Sequence, residues 1–226
     1  MLVSDLMTPN PVTVLPGVSV AAAAETMEKR GIRHLPVVDE RGALVGLVTR
    51  PTLARALPGT GTHLTRFEYN YLMASTQVGE VMISEPACIA PDSAAEEAAR
   101  IMNAKRISSL LVVHEGQLNG IITDTDIFGA LLVLMGARRP GVRLTVHILD
   151  RAGQMAKVTS AIAERGGNLS AVGGWYLKDR PEIYGAILKV ENLTKEQAVA
   201  AISNLADVRV VDVRGEEVFH QQNVAR

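Results

Sequence analysis

The sequence has little of three things that often indicate function, namely cysteine, aromatic residues and net charge. Cys88 is the only cysteine among 226 residues, which excludes an internal disulfide and a multi-cysteine metal site and fits a reducing compartment. The formal charge is -1, the pI is near 6.5 and aromatic residues make up 4%. Neither phosphate attraction nor base stacking therefore favours nucleic acid as a partner. We expect no nucleic-acid binding and no metal site, and we expect Cys88 to fill a core.

Long apolar segments are missing as well. No run approaches the about 18 residues that suggest a membrane-spanning helix, and the segment from Met1 to Met7 lacks the basic region and apolar core of a secretory signal. We therefore expect a cytoplasmic soluble protein with no membrane contact. The length suffices for two or three compact units, each with its own core.

Catalytic motifs are also absent from the sequence. The five histidines show no metal-binding spacing, and there is neither a Gly-x-Ser-x-Gly elbow nor a Gly-x-x-x-x-Gly-Lys-Ser/Thr phosphate loop. Two adjacent acidic pairs, Glu96–Glu97 and Glu216–Glu217, are typical of a solvated surface. We expect no catalytic residues and no enzyme activity.

An internal repeat dominates the first half of the chain. Matching positions recur at an offset of 75 residues, as from Met7 to Met82, and after a single deletion at 74, as from Thr49 to Thr123. Each copy has the pattern of a βαββα unit, whose first helix would begin after Ser19 or Ser93 as N-cap. Strands this short do not close a core alone, so we predict that the two copies pack sheet against sheet. Further matched pairs are Pro11 with Pro86, Pro16 with Pro91, Met27 with Met102, Val37–Val38 with Val112–Val113, and Gly46 with Gly120.

The segment Gly120–Ile127 reads as a strand that leads directly into a helix with an apolar face. Thr123 and Asp126 lie at the helix start, where unpaired N–H groups favour an anion, and Asp126 is an acceptor suited to a sugar diol. Thr-x-x-Asp also fits a capping box, which would explain both residues without a ligand. The first copy keeps Thr49 but has Thr52 in place of the acid. Since a cap alone does not need the acid, we expect Asp126 to serve a ligand.

Three patterns in the repeats resemble those of CBS domains: Met-Thr-x-x-Pro, Ile-Arg-His-Leu-Pro-Val-Val-Asp and Gly-x-Leu-Val-Gly-Leu-Val-Thr. The two copies, from Met1 to about Met135, resemble a CBS pair. That resemblance implies an adenine nucleotide (AMP, ADP or ATP) in the cleft between the copies, with S-adenosylmethionine as another adenosine-containing ligand. The nucleotide-binding residues that it implies are Thr123 and Asp126 for phosphate and ribose, Arg33 and His34 before one strand, Ser108 and Ser109 before its counterpart, and also Cys88 and Thr49.

The first copy departs from this pattern because Thr52 replaces the acid and Pro51 precedes it. We therefore predict one good nucleotide site, that of Asp126, and not two. Arg33 and His34 have the charge to neutralise phosphate, although such a pair also occurs at solvated strand edges.

Residues 57–77 between the copies are predicted to form a helical spacer. Pro58–Gly61 has the composition of a turn, and Phe67 and Tyr71 recur at helical spacing with other apolar residues. Together with Tyr69 they could form an aromatic binding platform, but we expect a helix that docks on the protein or contacts a second copy. The predicted domain boundaries are thus 1–56 and 78–138 for the repeats, 57–77 for the spacer, 141–215 for a third unit and 216–226 for a tail.

The third unit is predicted to be a ferredoxin-like βαββαβ domain, so the chain as a whole is of the α/β (α+β) class. Asp150-Arg-Ala-Gly-Gln-Met155 with Gly166-Gly-Asn-Leu169 resembles the loop of ACT domains. That resemblance implies an amino acid held at the start of the first helix, between paired domains. Gly153 and Asn168 could instead serve only turn geometry. The residues implied are Asp150, Gly153, Gln154, Met155 and Asn168.

These features together predict a regulatory protein. An adenine nucleotide would bind the CBS cleft, an amino acid could bind the ACT unit, and occupancy would change the domain arrangement presented to an unknown target protein. The order CBS–CBS–ACT resembles the acetoin-utilisation accessory proteins, which implies a homodimer linked to acetoin or acetate metabolism. The alternative is a structural adaptor that mediates assembly without a physiological ligand.

Overall fold

The computed structural model describes residues 1–55 and 65–215. They form two compact units that divide between Ile127 and Phe128. The helices and strands of the first repeat and the spacer are α1 (Val3–Leu6), β1 (Thr8–Pro9), α2 (Val20–Arg30), β2 (His34–Val38), β3 (Leu44–Thr49), α3 (Arg50–Arg55) and α4 (Arg66–Ser75). Those of the second repeat are α5 (Val78–Val81), β4 (Cys88–Ile89), α6 (Ala95–Lys105), β5 (Ser109–His114), β6 (Gln117–Thr123) and α7 (Asp124–Leu134).

The leading segment of each repeat pairs with the sheet of the other repeat. Strand β1 runs antiparallel to β6, with Thr8 opposite Ile121, in a sheet of order β1-β6-β5-β4. At the corresponding position Ile83 exchanges backbone hydrogen bonds with Leu47 of β3. A Cβ on Gly120 would lie 2.9 Å from the Thr8 carbonyl oxygen, so glycine is needed for this close approach. The exchange places residues of both repeats around each junction between strand and helix.

The two sheets of the first unit share an apolar cluster. Leu47 of the first repeat packs with Leu111 and Ile121 of the second, and all three are buried. Leu44 and Leu118 extend the cluster at its edge. The repeats therefore pack sheet to sheet, as their short strands predicted.

The predicted N-cap is correct in the first repeat and wrong in the second. Ser19 caps α2, since its Oγ accepts from the Ala22 N–H at 3.2 Å. Helix α6 begins one residue later than predicted, after Ala94, and has no side-chain cap. The Ala95 N–H donates instead to the Met1 carbonyl oxygen at 3.0 Å. A backbone group from the start of the chain thus satisfies this helix end, and Ser93 is not needed as a cap.

This difference gives a stability prediction. Ser19→Ala is expected to lower the free energy of unfolding by about 1 kcal/mol, because it removes a side-chain cap. Ser93→Ala is the matched control and is expected to have almost no effect. Urea unfolding followed by circular dichroism measures both variants, and equal losses would contradict the assignment of the caps.

Two parts of the chain with apolar residues that were expected to be buried are exposed. Cys88 was expected to fill a core, but it is exposed, and its thiol donates to the Pro86 carbonyl oxygen at 3.4 Å. The neighbouring Ile89 takes the buried position, because successive residues of a strand face opposite sides. Helix α7 also buries little beyond Ala130. Its exposed apolar residues are Phe128, Leu131, Leu132, Val133 and Leu134.

The spacer forms a helix on which Phe67 and Tyr71 face outward. Thr65 and Glu68 form a capping box at the start of α4, and Met73 packs against the core of the first repeat. Phe67 and Tyr71 are 79% and 65% exposed. Met73 thus contacts the repeat, whereas Phe67 and Tyr71 do not form a buried face. The predicted turn at 58–61 lies outside the described residues.

The second unit contains one antiparallel sheet of order β10-β7-β9-β8. The elements follow in the order βαββαβ, as the sequence predicted. Alternate residues of the central strand are buried beneath two helices. Its elements are β7 (Val142–Leu149), α8 (Gln154–Glu164), β8 (Asn168–Leu177), β9 (Arg180–Glu191), α9 (Lys195–Ile202) and β10 (Val208–Arg214). Across residues 1–55 and 65–215, no helix has both the length and the apolar character needed to cross a membrane.

Candidate functional site

Thr123 and Asp126 form a capping box where β6 passes into α7. The backbone N–H and the hydroxyl of Thr123 both donate to Asp126 Oδ2, at 2.8 and 2.7 Å. The Asp126 N–H in turn lies 3.4 Å from Thr123 Oγ1. The capping-box interpretation therefore accounts for one carboxylate oxygen of Asp126, Oδ2. The other oxygen, Oδ1, accepts no hydrogen bond from the residues that the structure describes.

The first repeat builds the same cap without a carboxylate. Thr52 Oγ1 accepts from the Thr49 N–H at 2.6 Å and lies 2.7 Å from Thr49 Oγ1. The Thr52 N–H donates back to Thr49 Oγ1 at 3.2 Å. A threonine hydroxyl thus reproduces every bond made by Asp126 Oδ2. The carboxylate of the second repeat supplies one acceptor and one negative charge beyond what the cap uses.

Arg33 and His34 of the first repeat reach the second repeat at this junction. The Arg33 guanidinium lies 3.4 Å from Asp124 Oδ1 and 3.3 Å from Thr125 Oγ1. His34 Nε2 and Ser108 Oγ are 2.9 Å apart. Ser109 is buried in strand β5 opposite Thr123. Four of the predicted nucleotide-binding residues, Arg33, His34, Ser108 and Thr123, therefore lie within the zone where the repeats meet.

The environment of His34 disfavours its charged form. Burial lowers the pKa of His34 below its ordinary value, the positive charge of Arg33 lowers it further, and Asp124 opposes the shift. The neutral ring is therefore the form that pairs with the Ser108 hydroxyl near neutral pH.

This lowered pKa predicts a pH dependence of stability. Between the pKa of the folded state and about 6.5, the value expected for an unfolded chain, the unfolded chain binds more protons at His34. The contribution of His34 to the free energy of unfolding is therefore fully present above about pH 6.5, and it is lost as the pH falls through that window. His34→Gln, which keeps a hydrogen-bonding group but does not titrate, should reduce the stability difference between about pH 7.5 and 5.5. Identical pH profiles in urea unfolding would contradict this prediction.

A cavity of about 310 Å³ lies beside Thr123. Arg33 and His34 give it a polar wall, and Val12, Ile32 and Ile121 give it an apolar one. Its volume is at the lower end of the range for small-molecule sites. The remaining residues that line it are Thr8, Asn10, Pro11 and Gly31.

A larger cavity of about 980 Å³ lies beside Thr49 and Thr52 in the first repeat. It is the counterpart of the smaller cavity, since Ile83, Pro86 and Ile107 replace Thr8, Pro11 and Ile32 at the offset of 75 residues. Cys88 is not part of its wall, whereas Arg33, His34, Ser108 and Ser109 are. The sequence analysis did not identify four basic residues of this wall, Arg50, Arg55, Lys105 and Arg106. Alignment of the two repeats could have identified two of them as differences between the copies. Arg50 aligns with Asp124, and Arg106 aligns with Gly31.

The residues predicted for amino-acid binding in the second unit have different environments. Gly153 adopts a left-handed conformation, with φ 85°, at the start of α8. Gln154 is 6% exposed, its amide donates to Asp207 at 3.2 Å, and its Oε1 has no hydrogen-bond partner among the described residues. Met155 packs against the core. Asp150 is exposed, and the Asn168 amide donates to Glu191 at 3.3 Å.

Comparisons with known proteins match the first unit. The model of the CBS domain matches residues 3–59 and 78–133. A homoserine O-acetyltransferase of Methanococcoides burtonii is 32% identical over 126 residues, which are 55% of this chain and 23% of that protein. An inosine-5'-monophosphate dehydrogenase of Rhodopirellula baltica is 28% identical over 156 residues, which are 69% of this chain and 26% of that protein. The chain spans about a quarter of the length of these curated relatives.

A solved structure shares the same region. A candidate acetoin utilization protein (AcuB) of Vibrio cholerae is 32% identical, with a TM-score of 0.50, over 58% of this chain and 90% of that one. The CBS model itself matches twice, at the two repeats, over stretches that together make up half of the chain. With its paired repeats and exchanged leading segments, the chain belongs to the CBS-domain family.

Proposed function

We propose that the chain is a non-catalytic regulatory protein that binds an adenine nucleotide in the cleft of Thr123 and Asp126. The observation that carries this proposal is the comparison of the two caps. Thr52 shows that a hydroxyl is sufficient for the cap, whereas Asp126 provides a carboxylate with an uncommitted oxygen. Such an oxygen is suited to accept hydrogen bonds from the two hydroxyls of a ribose.

The surroundings support a nucleotide over an isolated sugar. Arg33 and His34 supply donors for phosphate on one side of the cavity. Val12, Ile32 and Ile121 supply an apolar surface for the base on another side. Ser108, bonded to His34, holds that ring in place. Which of AMP, ADP and ATP binds depends on how many phosphates this short polar wall accommodates.

The second unit is proposed to be an ACT domain that takes an amino acid. Its strand order β10-β7-β9-β8 supports a ferredoxin-like fold, and Gly153 permits close backbone approach at the start of α8. The unpaired Oε1 of Gln154 is an acceptor suited to an ammonium group. Asp150 and Asn168 lie near the surface and would form the rim of such a site.

Homodimerisation is proposed on the exposed face of α7. Phe128 and Leu134 are 64% and 59% exposed, and a row of apolar residues of this kind is stabilised when a second surface covers it. A dimer would present the nucleotide-dependent arrangement to a target protein. The similarity to the acetoin utilization protein of Vibrio cholerae supports a target in acetoin or acetate metabolism.

Native mass spectrometry of the purified full-length chain tests ligand and assembly together. The sensor proposal predicts a dimer that gains the mass of AMP, ADP or ATP when each is added. A dimer that takes up none of them would contradict the sensor and would support the adaptor, for which the exposed apolar face of α7 alone is sufficient.

A further inference from the structure

The sheet of the second unit has one face that no helix covers. Alternate residues of β7 pack against α8 and α9, so the residues between them, among them His147, lie on the opposite face. The segment that follows α7 covers part of this opposite face. A Cβ on Gly173 would lie 2.8 Å from Met135, and one on Gly136 would lie 3.1 Å from Lys189. The part around His147 instead contains a cavity of about 290 Å³.

Three basic side chains line this cavity. His147 lies on β7, Arg209 is its direct partner on β10, and Arg180 begins β9. Because β7 lies between β10 and β9 in the sheet, the two arginines belong to strands on opposite sides of His147. Burial lowers the pKa of His147, and the positive charges of Arg180 and Arg209 lower it further. Both guanidinium charges therefore act on the same ring.

The two arginines of this cavity have no acidic partner. Elsewhere on the same sheet, Arg143 and Arg214 both form ion pairs with Asp212. Within residues 1–55 and 65–215, neither Arg180 nor Arg209 forms an ion pair. Both are exposed, so their hydrogen-bond donors are available to a ligand.

The rest of the cavity wall is mainly apolar. Leu149 and Ile183 lie opposite each other on β7 and β9 and both line the cavity. Asp207 also lines it, but its Oδ2 accepts from the Gln154 amide at 3.2 Å, so part of its charge is satisfied within the unit. The volume lies just below the about 300 to 1,000 Å³ typical of ligand sites. The wall therefore suits a small anion with a short hydrocarbon body.

We propose that this cavity binds a small dicarboxylate, with one carboxylate on Arg180, the other on Arg209 and the hydrocarbon on the apolar wall. A guanidinium group binds a carboxylate through two parallel hydrogen bonds, so two arginines from separate strands match two carboxylates. A single phosphate would use the charge but not Leu149 and Ile183. The inference goes beyond the proposed function, because this site includes no residue of the nucleotide cleft.

The test uses calorimetry of the full-length chain with glutarate and with pentanoate, which has the same number of carbon atoms but only one carboxylate. The wild type should bind glutarate at least about 10-fold more tightly, because pentanoate engages only one guanidinium group. Arg180→Gln and Arg209→Gln should each lower glutarate affinity by at least about 10-fold. Arg214→Gln is the matched control, since Arg214 lies on the same strand as Arg209 but outside the cavity. Its glutarate affinity should equal that of the wild type.

Further arms separate this inference from the proposed function. Arg209→Gln should leave AMP affinity unchanged, whereas Asp126→Thr should weaken AMP and leave glutarate unchanged. A wild type that binds glutarate but no adenine nucleotide would contradict the proposed function and support this inference. Absence of glutarate binding, or a variant of either Arg180 or Arg209 that binds glutarate as the wild type does, would overturn the inference. Inorganic phosphate that binds as tightly as glutarate would also overturn it, because two separate carboxylates would then not be required.

Discussion

Asp126→Thr is expected to weaken AMP binding by about 10- to 100-fold while the stability of the protein stays nearly unchanged. Hydrogen bonds to a charged group contribute about 1.5 to 3 kcal/mol each, which corresponds to that loss of affinity. The cap should survive, because Thr52 makes the same bonds at 2.6 and 2.7 Å in the first repeat. Calorimetry gives the affinity, and urea unfolding gives the free energy of unfolding.

The matched variant is Asp126→Ala, which removes both the carboxylate and the cap. It should lose the same affinity and, in addition, about 1 kcal/mol of stability. The difference between the two variants separates ligand contact from helix capping. If Asp126→Thr binds AMP as tightly as the wild type, the carboxylate serves the cap alone.

Leu111→Ala is expected to lower the free energy of unfolding by about 2 to 5 kcal/mol, the range for truncation of a buried leucine. Leu111 is fully buried, and it joins Leu47 and Ile121 in the cluster between the two sheets. A cavity at this position removes contacts from both repeats at once. Urea unfolding followed by circular dichroism measures the loss.

Leu15→Ala is the control for this change, because Leu15 is 44% exposed and its truncation should have little effect. Binding is a second readout. Both cavities are lined by residues of both repeats, so Leu111→Ala should also weaken AMP binding. A loss below about 1 kcal/mol would contradict the assignment of this cluster as the shared core.

Periodic features of the sequence were sufficient to predict much of the fold. The offset that relates Thr49 to Thr123 predicted two copies of one unit, and the short strands predicted that they pack together. The alternation along Arg143–Ile148 predicts a strand, and the structure contains it at Val142–Leu149, with every second residue buried. These signals are local, and packing in the folded chain reinforces them.

Other features depend on tertiary contacts that no local pattern shows. Ser93 resembled an N-cap, but the Met1 carbonyl oxygen occupies the N–H at that helix end. The apolar positions of α7 have the spacing of a buried face, yet Leu131 and Leu134 are exposed. Periodicity indicates that a helix face is apolar, but it does not indicate which surface covers that face.

The candidate site could be predicted only in part, because some of its residues form a local motif and others come together only in the folded chain. Thr123 and Asp126 form a recognisable motif, and the structure adds that one carboxylate oxygen is occupied. Arg50 and Arg106, by contrast, are 56 positions apart in sequence (106 − 50), in different repeats, and they line one cavity only in the folded chain. A basic wall assembled from separate elements leaves no compact motif in the sequence.

The most direct measurement of the central claim compares AMP with 2′,3′-dideoxy-AMP in the wild type and in Asp126→Thr. If the carboxylate accepts hydrogen bonds from the ribose hydroxyls, the wild type should prefer AMP by about 10- to 100-fold. The variant should bind both compounds with nearly equal affinity. A wild type that does not distinguish the two compounds, or a preference that persists in the variant, would contradict the account.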